Sequence, residues 1–138
     1  MEGGEARAAA RRGRSICFVA HYALAALTGR NRQHAGGIER QQTTMATWLA
    51  AHGWDVSMIV WDDPDDKATE AHGVRIVRLC SLDDGLPMLR FFHPRWTSLN
   101  AALEAADADI YYYNCGDLGL GQIVAWARRR NKPVVFSV

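Results

Sequence analysis

The residues in this sequence best suited to chemistry are Gly36-Gly37-Ile38-Glu39, two glycines at the mouth of a helix-like run with a carboxylate inside its first turn. The free N–H groups and positive dipole end of a helix make an anion site. Glycines let a phosphate or a sugar come close to the backbone. The spacing is neither G-x-G-x-x-G nor G-x-x-x-x-G-K-[ST], which excludes the dinucleotide fingerprint and the P-loop. Glu39 complements the helix dipole by itself, worth about 0.3–1 kcal/mol, and would repel a phosphate. It suits sugar hydroxyls or backbone capping better. The plain alternative is that Gly37 is a helix cap and Gly36 a turn residue.

Other candidates surround this motif. His21, Tyr22, Arg30, Arg32 and His34 lie between the first apolar run and the helix. That connection is far longer than the roughly 2–6 residues usual between strand and helix. Gln41 and Gln42 fall near the burying face of the helix, where polar groups need partners. Partners at a cleft would be substrate hydroxyls, and Gln41 is taken as the binding member. Asn114 follows an apolar run and suits either a hydroxyl contact or a helix N-cap. Asp63 and Asp65 form a D-x-D of the kind that holds a divalent cation, but "DDPDD" reads as a solvated turn. Cys115 has no histidine base in sequence and reads as a passive thiol. Tyr111, Tyr112 and Tyr113 alternate across a sheet as core filling. "LRFFHPRW" (89–96) mixes aromatic and basic residues and suits an acceptor or a membrane surface, with Phe91 and Phe92 packed beneath a loop as the simpler account.

The elements that must position these residues alternate. Strands are predicted at 15–20, 55–61, 74–79, 109–114 and 133–138, and helices at about 38–52, 97–107 and 117–130. The first helix is expected to bury Ile38, Met45, Trp48 and Leu49, and the third Leu120, Ile123, Val124 and Ala127. Alternation of this kind predicts right-handed βαβ units and a three-layer, Rossmann-like parallel sheet, order 3-2-1-4-5. Strands one, two, four and five are apolar throughout, as doubly covered strands are. The order reverses between strands one and four, and ligands bind at such a point beyond the strands' C-terminal ends. His21, Gly36–Glu39 and Asn114 all leave from there.

The balance of 16 Lys+Arg against 15 Asp+Glu, net +1, offers no nucleic acid or membrane argument. Three cysteines without C-x-x-C spacing exclude a disulfide framework or zinc site and fit a reducing compartment. No apolar run approaches the roughly 20 residues of a membrane span. Residues 1–14 read as a disordered, mildly basic leader, not a secretory signal.

"SICFVAHYALAALTGRNRQHAGGIERQQTTMATWLAAHGWDVSMIVWDD" resembles the start of a family 4 glycosyltransferase of the GT-B fold, with Gly36, Gly37 and Glu39 as its GGxE and "AHGWDV" as the turn into strand two. "ADADIYYYNCGDLGLGQIVAWARRRNKPVVFSV" resembles the same family's later passage. The resemblance implies that 15–138 is the N-terminal, acceptor-side half of a GT-B enzyme. Such an enzyme is retaining and metal-independent, needs no cofactor, and moves a sugar from a nucleotide-sugar to a glycan or lipid-linked acceptor. It implies that Gly36 and Gly37 approach the donor diphosphate. Many members carry a histidine after strand four; Asn114 stands there here. The family's paired-glutamate motif and diphosphate-holding basic residues belong to a C-terminal domain, which this chain is expected to need for activity. Cytoplasmic placement is expected from the lack of a secretory signal and the unpaired cysteines, and the resemblance, whose members often glycosylate lipid-linked acceptors, implies peripheral contact at the inner membrane face. No residue is assigned a catalytic role. The alternative is a Rossmann-like module that binds a nucleotide or sugar without turnover.

Overall fold

The computed structural model describes residues 14–30, 36–80, 89, 95–116 and 118–137. The leader, Arg32, His34, Phe91 and Phe92 lie outside the described residues. The elements are β1 (Ser15–Val19), α1 (Leu24–Thr28), α2 (Gly37–Ala51), β2 (Asp55–Val60), β3 (Glu70–Ala71), β4 (Val74–Arg78), α3 (Thr97–Ala106), β5 (Ile110–Tyr113), α4 (Leu118–Arg129) and β6 (Val134–Phe136). They build one six-stranded sheet, ordered β3-β4-β2-β1-β5-β6. All neighbours are parallel except β3, which pairs antiparallel with β4. The expected 3-2-1-4-5 order is therefore present, with one short strand added at the edge.

Every residue of β1 is buried, because it lies mid-sheet with helices on both faces. On one face Cys17, Val19, Tyr111 and Tyr113 pack with Leu103 of α3 and Ile123 of α4. On the other Phe18, Met58 and Tyr112 pack with Leu24 and Leu27 of α1 and Ala46 of α2. The tyrosine triplet alternates as its period of two requires. Burial obliges the Tyr111 hydroxyl to find partners: it donates to the Leu103 carbonyl (2.8 Å) and accepts from the Ala108 N–H (3.1 Å). The helices stop on left-handed residues, Gly53 (φ 87°) after α2 and Asn131 (φ 54°) after α4.

Several expectations need correction. A short helix, α1, interrupts the 21–37 connection; it buries only Leu24 and Leu27 and is too brief to show a helical period. β3 is created by a two-residue turn, His72 (φ 52°) and Gly73 (φ 80°), the geometry that closes tight hairpins. On α2 the fully buried positions are Gln42 and Ala46. Ile38 and Trp48 are 46% and 58% exposed. Trp48 lies more than about 100° round the helix from Gln42 and Ala46, while Ile38 shares their stripe but lines a cavity in the first turn. Met45 and Leu49 pack partly buried against the core as expected. Trp48 instead stacks on His52, centroids 3.8 Å apart. On α4, Gln122 and Trp126 are buried with Ile123 and Ala127, while Leu120 and Val124 are partly buried. β6 is not doubly covered: Val135 and Phe136 are exposed, as the edge position allows.

Candidate functional site

β1 hydrogen-bonds to β2 on one side and β5 on the other, so the chain leaves its C-terminal end where the sheet's winding reverses. A cavity of about 240 Å³ opens there. Its polar wall comes from three elements: His21 and Tyr22 after β1, Glu39 and Gln42 in the first turns of α2, and Asn114 and Cys115 after β5. Three of the predicted residues, His21, Glu39 and Asn114, thus meet in one place although the sequence separates them widely.

Gln42 and Asn114 distinguish this cavity. They are 3% and 8% exposed, yet neither makes a side-chain hydrogen bond with any described residue, and their amide atoms are not sealed from solvent. Their openness is toward the cavity they line. Buried amides normally have partners. Two of them facing one cavity present carbonyl acceptors and N–H donors to whatever enters.

Glu39 sits at the third position of α2, and Gly36 (φ −67°, ψ 173°) is its N-cap. The Gly36 carbonyl accepts the first helical bond, from Arg40 N–H at 3.2 Å. A Cβ added at Gly36 would stand 2.5 Å from Glu39 Oε2. The carboxylate therefore folds back over the helix start, as a third-position glutamate does in a capping box. That close approach accounts for one glycine. At Gly37 an added Cβ would meet nothing within 4 Å, so the space beside it is open. Neither glycine has positive φ, and neither lines the cavity wall itself; they lie at its rim through α2. The cap is Gly36, not Gly37.

Gln41 is exposed and outside the cavity. Adjacent helical residues differ by about 100°, so only one glutamine of the pair can face inward. The clue that selects Gln42 is Ala46, four residues on along the same stripe. Asn114 stands four residues before α4 and is not its cap. His21 is half-buried, stacked on Trp61 (5.2 Å, 25°) and edge-on to Tyr113 (6.0 Å). Cys115 is exposed. Cys17, one turn of strand below the rim, is inert: burial pushes its thiol up to about 12.

A model of the glycosyl transferase 4-like domain matches residues 36–138. The chain belongs to the glycosyl transferase 4-like domain family. No curated protein and no solved structure matches it. The matched stretch carries Glu39, Gln42 and Asn114, and begins after His21. Membership gives the cavity its chemical context, glycosyl transfer, in which hydroxyl recognition is the central task.

In the acidic turn of this glycosyltransferase domain Asp65 is exposed, as a solvated turn residue is, and only Asp66 departs from that expectation. Asp63 Oδ1 accepts the Asp65 N–H (2.9 Å) within the turn. Asp66 is buried, accepts the Ala68 N–H (3.0 Å), and lies 3.6 and 3.8 Å from Arg30 and Arg78. Its carboxyl is held below the usual range, first by the Ala68 hydrogen bond and further by Thr28 and the two guanidiniums, against the opposing effect of burial. It is an internal anchor, not a solvated turn residue. Among the described residues no group of three metal-ligating side chains occurs, and no helix is long and apolar enough to cross a membrane.

Proposed function

We propose that this domain forms the acceptor side of a retaining, metal-independent GT-B glycosyltransferase, moving a sugar from a nucleotide-sugar to an acceptor hydroxyl. The observation that supports it is the pair of buried amides, Gln42 and Asn114, which line the cavity beside Glu39 without a side-chain hydrogen bond to any described residue. Amide carbonyls and amide N–H groups match hydroxyls, which both donate and accept. Glu39 accepts a further hydroxyl proton. It disfavours a phosphate inside this cavity, so the donor diphosphate approaches the open side of Gly37, above the α2 N-terminus.

The retaining outcome, independence of a metal and peripheral membrane contact rest on the resemblance of the sequence, and cytoplasmic placement on its cysteine usage. So does the need for a second, donor-binding domain. The domain described here provides one wall, and the donor's other contacts come from that partner domain. The purified chain alone is therefore expected to show no sugar transfer from any nucleotide-sugar; turnover free of contaminating enzyme would overturn this part of the reading.

The central test is transfer by the assembled two-domain enzyme carrying Gln42→Leu with Asn114→Leu. Transfer per folded molecule should fall by about 100-fold, two lost hydrogen bonds at roughly 1.4 kcal/mol each. Unchanged transfer would overturn the assignment of acceptor recognition to this cavity, and absence of transfer in the assembled wild-type enzyme would favour a binding module without turnover.

A further inference from the structure

His21 and Tyr22 also form the wall of a second cavity, of about 320 Å³, on the other side of the β1 terminus. Its chemistry is unlike the first. Leu79 and Leu99 form a buried apolar wall, and the exposed side chains of Tyr22, Trp96 and Leu118 gather on the same cavity. Exposed apolar surface collected at one concavity marks a binding site. No carboxylate occurs among the described lining residues. Arg95 lines the cavity too, but its guanidinium lies 5.8 Å from the centroid of the Trp61 ring, and Arg95 has further interactions within the chain. It is therefore part of the wall.

Gln122 gives this apolar cavity a direction. The residue is 7% exposed. Its amide nitrogen donates to the Trp96 carbonyl (2.8 Å) and to Asn100 Oδ1 (3.2 Å). A backbone carbonyl only accepts, so the contact with Trp96 fixes which end of the amide is nitrogen. The other end, Oε1, makes no hydrogen bond with the chain and is not sealed from solvent. Its opening is toward the cavity that Gln122 lines. The result is an oriented oxygen that can only accept, set among apolar side chains. An O–H or N–H donor satisfies it, and a group without one leaves it stranded.

We propose that this cavity is the subsite for the non-sugar part of the acceptor, a neutral apolar group that carries one hydrogen-bond donor for Gln122 Oε1. The inference rests on the glycosyl-transfer reading above and names the class of acceptor. The volume lies at the lower end of small-molecule sites and suits a two-ring aromatic bearing a hydroxyl. The shared His21–Tyr22 wall joins this subsite to the polar cavity. One acceptor molecule can therefore place its reacting hydroxyl by Gln42 and Asn114 and its apolar end by Gln122.

The test titrates the chain with 2-naphthol and with 2-methoxynaphthalene, which has the same rings and no donor. Binding is followed at the indole ¹⁵N–¹H resonance that disappears in Trp61→Phe. Naphthol should bind about tenfold more tightly than its methyl ether, and both should move the Trp61 resonance. Gln122→Met should abolish the difference. Leu118→Ala, at an exposed position that leaves the core untouched, should weaken both probes about threefold and keep the difference. Equal affinity of the two probes, no binding, an unmoved Trp61 resonance, an unaffected preference in Gln122→Met or unaffected binding in Leu118→Ala would overturn the proposal. The comparison of probes in the wild-type chain decides the matter even where Gln122→Met does not fold. The titration uses no sugar donor, and the Gln42→Leu, Asn114→Leu variant should lose transfer and keep the naphthol preference. Failure of this subsite and failure of the hydroxyl-binding reading therefore give different results.

Discussion

Two regions of this domain bury polar side chains, and they treat them in opposite ways. In the acidic turn after β2, Asp66 is met from several sides: Ala68 N–H, Arg30 and Arg78. At the rim after β1 and β5, Gln42 and Asn114 are buried as deeply and meet no described partner. A buried polar group without a partner is costly, about 1–3 kcal/mol. The turn offsets that cost internally, with one hydrogen bond to Oδ1 and two guanidiniums beside the carboxylate, although Oδ2 itself is buried and accepts no hydrogen bond, and so holds structure. At the rim the amide atoms keep contact with solvent, and the proposed function has an acceptor hydroxyl replace that water. The contrast separates an anchor from a site more sharply than residue type does, since sequence reasoning placed metal chemistry among the candidates for the aspartates.

The comparison predicts that rim changes alter transfer and turn changes alter stability. The largest effect expected is the roughly 100-fold loss of transfer in the Gln42→Leu, Asn114→Leu enzyme. Its unfolding free energy in urea should change little, since neither amide makes a side-chain hydrogen bond with a described residue and both keep contact with solvent. A large loss of stability would erase the distinction.

Next is Asp66→Ala, which strands two guanidiniums and the Ala68 N–H. It should lower stability by about 2–3 kcal/mol, read from the urea midpoint. The sign of its pH dependence follows from its lowered carboxyl. The stabilisation is fully present above the unfolded value of about 3.9, and is lost as pH falls from there through the lower folded value. Wild type should therefore lose more stability than Asp66→Ala on going below about pH 4. Parallel acid limbs for the two proteins would show that Asp66 is not the anchor.

Tyr111→Phe removes the buried hydroxyl that joins Leu103 to Ala108 and should cost about 1–2 kcal/mol with transfer per folded molecule intact. The smallest effect on stability belongs to Gly37→Ala. Nothing lies within 4 Å of the new Cβ and φ is not positive, so stability should rise by about 0.4–1 kcal/mol. Transfer should nevertheless fall, because the diphosphate is proposed to occupy that open space. Stability and transfer rising together would return Gly37 to an ordinary helix position.

The sheet order was legible in the sequence because strands 15–19, 55–60 and 110–113 are short, continuously apolar and separated by helical runs, and crossover rules leave few arrangements of such a series. The meeting of His21, Glu39 and Asn114 at one cavity was legible because the order predicts where the winding reverses. α1 and β3 were not, since five and two residues are too few for any period to show.

What the sequence by itself determined was the alternation of elements, the reversal at β1 and the polar residues delivered to it. What only the tertiary structure decided was rotation and partnership. Gln42 and not Gln41 faces the cavity because the sheet contacts α2 along Ala46, a phase that Trp48 misreports. Asp66 is an anchor because Arg30 and Arg78, remote in sequence, converge on it. Periodicity is a local property of the chain and survives in the sequence. Which buried polar group finds a partner depends on segments brought together from far apart, and that is settled only when they pack.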